Sequence, residues 1–271
     1  MAIDEFASMA LLARRRRNPC YDFRMSQSPA DVNRDITIFN PRPSIQEVPL
    51  TADHSCLIVD DALVNPEALV QFAVDHRDEF GTSQYAYPGV ELPMPADFTD
   101  RLEAFFSRYI RGPLNGRRTL QRYSRLSMVT LAPDQLQPVQ SICHRDNQRV
   151  ETGQCIAASV LYLFNDSSLG GTSFYMPKKS ADETERLVHD ASTLDRAAFA
   201  RKYSIEPGYF CASNDYFELA GTVPAQWNRM IFYDGSIFHS GDIRAPERMN
   251  DDPRAGRLTL NGFFTCSRKA T

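Results

Sequence analysis

Five histidines stand in the 271-residue chain: His54, His76, His144, His189 and His239. Two of them open the same tripeptide, His-Arg-Asp, at 76–78 and at 144–146. An imidazole and a carboxylate two residues apart can share a metal ion only if both side chains point the same way, so the backbone decides. His76 falls in a stretch with helical spacing, where residues i and i+2 diverge by roughly 200°. His144 follows a β-type run, and on a strand i and i+2 share one face. His144 and Asp146 are therefore the candidate ligands, and His76 reads as a helix-surface histidine. Alone, an H-x-D tripeptide is weak evidence, because Asp is common in this chain. Protein kinases also use His-Arg-Asp, but with an Asn five residues after the Asp. Position 151 is Glu and no glycine-rich loop precedes, so that chemistry is excluded.

A site with two histidines, one carboxylate and open positions needs a second histidine from a distant strand. His239 closes an apolar stretch, Met230 to Phe238, broken by Asp234-Gly235-Ser236. Its position suits a third ligand and equally suits a hydrogen-bonded core histidine. Further on, Arg257-Leu-Thr-Leu-Asn261 alternates, with Arg257, Thr259 and Asn261 on one face and Leu258 and Leu260 on the other. If that face is solvated, the arginine needs no explanation. If it is buried, the guanidinium needs an anion, and it can grip a carboxylate through two parallel hydrogen bonds. Arg248 also follows His239 but sits in a Pro/Asn/Asp-rich loop.

These residues need elements to carry them. Residues 1–50 are rich in Arg, Asn, Asp and Pro and read as an extended arm, with Arg14–Arg17 a solvated basic run. Residues 51–271 read as one domain. Helices are predicted near 65–80, where Asn65-Pro66 makes a cap and first turn, near 97–110, and near 181–203. Short β-type runs cover 55–60, 124–131, 139–143, 156–164, 172–176, 209–212, 230–233 and 258–265. Many short strands at this spacing, helped by a few helices, predict an α+β chain with a β-sandwich or jelly-roll core.

Composition narrows the classes. The chain is 42% hydrophobic and 24% charged, and 30 basic against 34 acidic residues leave a net charge of −4. That balance lacks the basic footprint of a nucleic-acid protein. No run approaches the roughly 18 apolar residues of a membrane span. The N-terminus puts its apolar stretch before its arginines, the reverse of a secretory leader, which predicts a cytoplasmic protein. Six cysteines without a C-x-x-C pair read as free thiols.

The order His144-x-Asp146, the strand Val160-Leu-Tyr-Leu-Phe-Asn165, Gly170-Gly171-Thr-Ser-Phe174, a distal His239 and Arg257-x-Thr259 resembles the Fe(II)/2-oxoglutarate-dependent dioxygenase superfamily, above all its prolyl-hydroxylase-like members. The resemblance covers roughly residues 120–267. The stretch Cys56 to Pro95 is similar to the front of an uncharacterised bacterial branch of the same superfamily. It implies a double-stranded β-helix, with His144, Asp146 and His239 on Fe(II). It further implies Arg257 on the far carboxylate of 2-oxoglutarate, with Thr259 beside it, Tyr162 as a hydrogen-bonding partner of the co-substrate and Asn228 as a weaker candidate. O₂ would be the second co-substrate, and the outcome hydroxylation of an amino acid, a peptide side chain or a small natural product. Arg257 stands 18 residues after His239, which implies a loop insertion between them. The helical insertion after Met176 is a second departure, and it reads either as a lid or as a solvated surface element.

Two other classes compete with this expectation. One is a non-catalytic jelly-roll module that binds or senses. The other is a metal-dependent cupin of a different reaction, which usually clusters H-x-H with a nearby Glu that this chain lacks.

Overall fold

The computed structural model describes residues 38–82, 86–146 and 150–268. Arg14–Arg17 and most of the predicted arm lie outside those residues. The part of the 1–50 segment that is described ends in strand β1 (Ile45–Pro49), which pairs with β2 (Ser55–Val59).

The remaining strands are β3 (Gly81–Thr82), β4 (Gly89–Pro93), β5 (Gly116–Val129), β6 (Gln154–Tyr162), β7 (Thr172–Pro177), β8 (Phe217–Val223), β9 (Met230–Asp234), β10 (Phe238–Gly241) and β11 (Leu258–Arg268). A large sheet runs β1-β2-β9-β6-β11-β5-β4-β3, and a small one runs β10-β7-β8. Among the described residues every pairing between these strands is antiparallel. A single bridge between His144 and His239 adds a short extended segment to the free edge of β10.

Four α-helices accompany the sheets among the described residues: α1 (Pro66–Asp75), α2 (Ala96–Tyr109), α3 (Ala181–Thr193) and α4 (Arg196–Tyr203). None is long and apolar enough to cross a membrane. Asn65 caps α1 by accepting the Ala68 N–H at 3.2 Å. The predicted 181–203 helix is in fact two. Ser180 and Glu183 form a capping box on α3, the chain turns at Leu194, and Asp195 starts α4 by accepting the Ala198 N–H at 2.8 Å.

Burial explains the layering. α2 lays Phe98, Leu102 and Phe106 on the outer face of the large sheet, with Phe106 stacked on Phe264 at 4.0 Å. Between the sheets lies a second cluster, with Tyr162, Ile231 and Tyr233 from the large sheet against Phe174 and Val223 from the small one. A third cluster binds α3 and α4 to the outer face of the small sheet through Leu187, Ala191 and Phe199 against Tyr175, Phe217 and Phe238. The helical insertion is thus anchored on the core.

Two predicted strands are absent. Residues 139–143 are not a strand: Pro138–Gln140 forms a 3₁₀ turn, because Pro138 sets the first turn and the Gln140 side chain accepts the Gln137 N–H at 2.8 Å. Residues 209–212 run without strand pairing; the Phe210 carbonyl instead accepts from Tyr175 Oη at 2.9 Å and from Ser240 Oγ at 2.7 Å. Strand β8 takes that place in the small sheet, and its Ala-Gly-containing stretch hides it from propensity.

Candidate metal centre and its surroundings

His144 and His239 exchange both backbone hydrogen bonds, at 3.0 and 2.9 Å. Such a cross-strand pair sets its two side chains next to each other on one face. Their ring centroids are 4.4 Å apart. Asp146 follows two residues on, its N–H held by the Gly235 carbonyl at 2.8 Å. Alternation is visible in the intervening residues. Cys143 is buried in the cluster under α3, and Arg145 reaches outward to Glu185 of α3 and lies over the Phe238 ring at 4.5 Å. His144 and Asp146 take the opposite face.

The three side chains converge. His239 Nε2 is 3.4 Å from Asp146 Oδ2, and His144 Nε2 is 3.9 Å from Asp146 Oδ1. One ligand atom from each residue lies within 4.8 Å of the others. His239 Nδ1 is 2.9 Å from the Ile237 carbonyl, which can only accept, so Nδ1 carries the proton and Nε2 presents a lone pair. The Tyr233 ring meets the His239 ring edge-on at 4.7 Å and fixes its orientation. Asp146 Oδ2 is buried and has no hydrogen-bond partner among the described residues. A buried carboxylate whose two oxygens face two imidazole nitrogens fits a cation held between them.

The electrostatics agree with that donor set. Burial pushes the His239 pKa down to about 4, against an ordinary 6.5, with the Ile237 hydrogen bond opposing. His144 is also lowered to about 4, by desolvation first and then by His239 and Arg125. Its side chain keeps 53% exposure against 6% for His239, so the depression is firmer at His239. Burial raises the Asp146 carboxyl, and His144 and Arg125 pull it back. Both imidazoles are neutral at pH 7, as metal ligation requires.

Arg257 is 5% exposed, and no carboxylate among the described residues pairs with it. Its Nε donates to the carbonyls of Leu169 and Gly170 at 3.0 and 3.2 Å, and Nη2 donates to Gly171 at 2.8 Å. The Gly-Gly turn therefore holds a guanidinium with its backbone. Gly170 sits at φ +83°, and a Cβ there would meet the Asp242 carbonyl at 2.0 Å, so only glycine lets the turn close this tightly. A side chain added at Gly241, two residues past His239, would lie 3.5 Å from Arg257 Nη2. Along a strand two residues span about 6.6 Å, which sets the scale of the gap between His239 and the arginine.

Thr259 is 1% exposed, donates to the Ser127 carbonyl at 3.3 Å and receives Asn261 Nδ2 at 3.2 Å. The Arg257 face is thus buried, and the solvated alternative does not hold. Tyr162 lies on the same inner face, opposite Thr259 across β6 and β11, with its hydroxyl bonded to Thr172 Oγ1 at 2.8 Å. Asn228 has a structural task instead: it adopts φ +58°, and its side-chain amide pairs with both the N–H and the carbonyl of Leu63 at 2.9 Å. Arg248 is tied to Asp166 at 2.7 Å on the surface. His76 ends α1, its Nδ1 2.8 Å from the Phe72 carbonyl.

Three residues near the centre escaped the reading of the sequence: Tyr87, Glu91 and Arg125. Tyr87 Oη is buried beside Thr259, and desolvation pushes its pKa up to about 12 against the pull of Arg257, Arg125 and the Thr259 hydroxyl. Glu91 and Arg125 form an ion pair at 2.8 Å. The signal for Arg125 was present, since Arg125 and Ser127 alternate along the predicted strand 124–131.

A family model matches residues 41–264; its description is a family of unknown function, DUF6445. The chain belongs to that family. No curated protein matches this DUF6445 member. Among solved structures it is similar to the non-heme alpha-ketoglutarate-dependent epimerase SnoN from nogalamycin biosynthesis, at 11% identity over 79% of this chain and 80% of that one, with a TM-score of 0.42. It is also similar to HygX from Streptomyces hygroscopicus, solved with nickel, 2-oxoglutarate and hygromycin B bound, at 11% identity over 77% and 82% of the two chains and a TM-score of 0.36. Those scores are too low to carry an argument, and the reading of the DUF6445 site rests on its own geometry.

Proposed function

We propose that this protein is an Fe(II)- and 2-oxoglutarate-dependent oxygenase that hydroxylates an amino acid, a peptide side chain or a small natural product. The observation that carries this reading is the buried Asp146 carboxylate set between two imidazoles, with Oδ2 3.4 Å from His239 Nε2 and Oδ1 3.9 Å from His144 Nε2, and with no hydrogen-bond partner for Oδ2 among the described residues. Two neutral imidazoles and one carboxylate on a single side leave the rest of a cation's coordination open. We read the core as a jelly roll. In its support, β5, β11, β6 and β9 are neighbours in one sheet, and the His144 segment, β10, β7 and β8 are neighbours in the other. Eight segments that alternate between two sheets in this way follow the order of a rolled-up double hairpin.

Fe(II) with O₂ and 2-oxoglutarate supplies the oxidising chemistry, 2-oxoglutarate leaving as succinate and CO₂. The chain's own residues do the positioning. His144, Asp146 and His239 would hold the metal. Arg257, fixed by three carbonyls, keeps Nη1 free of hydrogen bonds to the described residues and would take the far carboxylate of 2-oxoglutarate. Thr259 stands next on the same face, and Tyr162, locked by Thr172, would shape the wall of that pocket. Phe174 and Tyr233 pack beside His239 and keep water from its buried side.

Equilibrium dialysis with Mn(II) and an assay of succinate release with Fe(II) and 2-oxoglutarate test the reading together. One metal ion per chain is expected. His239→Ala and Asp146→Ala should weaken binding at least tenfold and abolish succinate release, whereas His76→Ala should alter neither. Equal losses from His76→Ala and His144→Ala would sink the assignment.

A further inference from the structure

Arg125 shares the inner face of Arg257, Thr259 and Asn261, and the site described above gives it no role. Across β5 and β11 its register partner is Asn261, one step from Tyr123 opposite Phe263. Its guanidinium lies 5.0 Å from the Phe263 ring centroid, 5.8 Å from Tyr87 and 5.9 Å from Tyr123. Those distances lie within cation–π range, so three aromatic rings surround the guanidinium carbon. One edge is taken: Nε is 2.8 Å from Glu91 Oε1, although the two are not aligned well enough for a full hydrogen bond. Nη1 and Nη2 make no hydrogen bond to the described residues, and the side chain keeps 14% exposure. The box opens outward at Tyr123, which is 41% exposed and stacks on Phe263 at 6.2 Å.

We propose that Arg125 anchors a carboxylate of the primary substrate, in a box of Tyr87, Tyr123 and Phe263 that accepts a flat apolar body, so that the substrate is an organic carboxylate. This rests on the oxygenase reading for what happens next to the box. Two open terminal nitrogens form the fork that binds a carboxylate by parallel charge-assisted bonds. An amine is the opposite choice, and Glu91 would be its anchor. But Glu91 Oε1 is held against Arg125 Nε, whereas the arginine, 14% exposed against 10% for the glutamate, brings two terminal nitrogens without a hydrogen bond to the described residues. The co-substrate does not need Arg125, since Arg257 keeps its own Nη1 free of hydrogen bonds to the described residues.

The test is calorimetric titration of the Mn(II)-loaded protein, saturated with 2-oxoglutarate, using phenylacetate, phenylacetamide and 2-phenylethylamine. Phenylacetate is expected to bind at least tenfold more tightly than the other two, and Arg125→Gln should erase that preference while 2-oxoglutarate affinity stays within twofold. If the single variant folds poorly because Glu91 is left buried alone, Arg125→Gln with Glu91→Gln removes both charges and should erase the preference equally. No binding of phenylacetate, equal binding of all three probes, or a preference for the amine overturns the proposal. So does a preference that survives in both variants. If Arg125→Gln instead removes 2-oxoglutarate binding, the arginine serves the co-substrate: the proposal falls and the oxygenase reading stands. If His239→Ala leaves Mn(II) binding intact, the oxygenase reading fails while the head-group preference is still measurable.

Discussion

At the scale of single residues, the centre is defined by what its atoms lack. Asp146 Oδ2 is enclosed without a hydrogen-bond partner among the described residues, and His239 Nε2 presents a lone pair because Nδ1 is committed to Ile237. Folding without metal therefore favours neutral imidazoles. The folded pKa of His239 is about 4 and the ordinary value is 6.5. A depressed base stabilises the fold fully above its unfolded pKa, and that contribution is lost as pH falls from 6.5 toward 4. The Tm of the metal-free protein should drop across that window, and drop less in His239→Gln; an unchanged slope would show that the histidine is not desolvated. Arg257 carries a different expectation. Arg257→Gln should weaken 2-oxoglutarate binding at least tenfold in calorimetry. It should also cost about 1–3 kcal/mol of stability, since the carbonyls of Leu169, Gly170 and Gly171 lose their donors. A variant with the stability loss but full 2-oxoglutarate affinity would reduce Arg257 to a structural clamp.

At the scale of elements, the histidines meet because β10 pairs with a very short extended segment, and that segment is supported from outside. α3 and α4 bury Leu187, Ala191 and Phe199 against Ile142, Cys143 and Phe238, the residues flanking the two histidines in sequence. Leu187 is fully buried. Leu187→Ala should cost about 2–5 kcal/mol by the cavity it leaves. It should also loosen the metal several-fold, because the packed neighbours of His144 shift. Urea unfolding paired with Mn(II) dialysis measures both, and a stability loss without any change in metal affinity would show that the insertion does not support the centre.

At the scale of the whole molecule, a metal held by His144, Asp146 and His239 would tie the 144 segment to β10, two segments far apart in the chain. Mn(II) at a hundred times its Kd should stabilise the protein by about 2.7 kcal/mol, seen as a rise in Tm that EDTA reverses. No rise in the wild type, or the same rise in Asp146→Ala, would contradict a single site at this place. Some of this was legible in the chain. The convergence of His144 and Asp146 follows from a side-chain period of two, and so does the shared face of Arg257, Thr259 and Asn261; such periodicity is local and survives in sequence. The α-helices were readable from caps and spacing, except where Asp195 starts a new helix. Strand 139–143 was misread because Pro138 and Gln140 favour a tight turn that apolar content conceals. Tyr87, Glu91 and Arg125 were beyond reach as a group, since their common interior depends on the pairing of β4, β5 and β11, and pairing between strands distant in sequence is set by how the whole core packs. For the same reason the sequence alone determined which residue types could bind a metal and an anion, while only the tertiary structure decided that His239 meets His144, that Arg257 is buried without a counter-charge, and that Asn228 is spent on the backbone of Leu63.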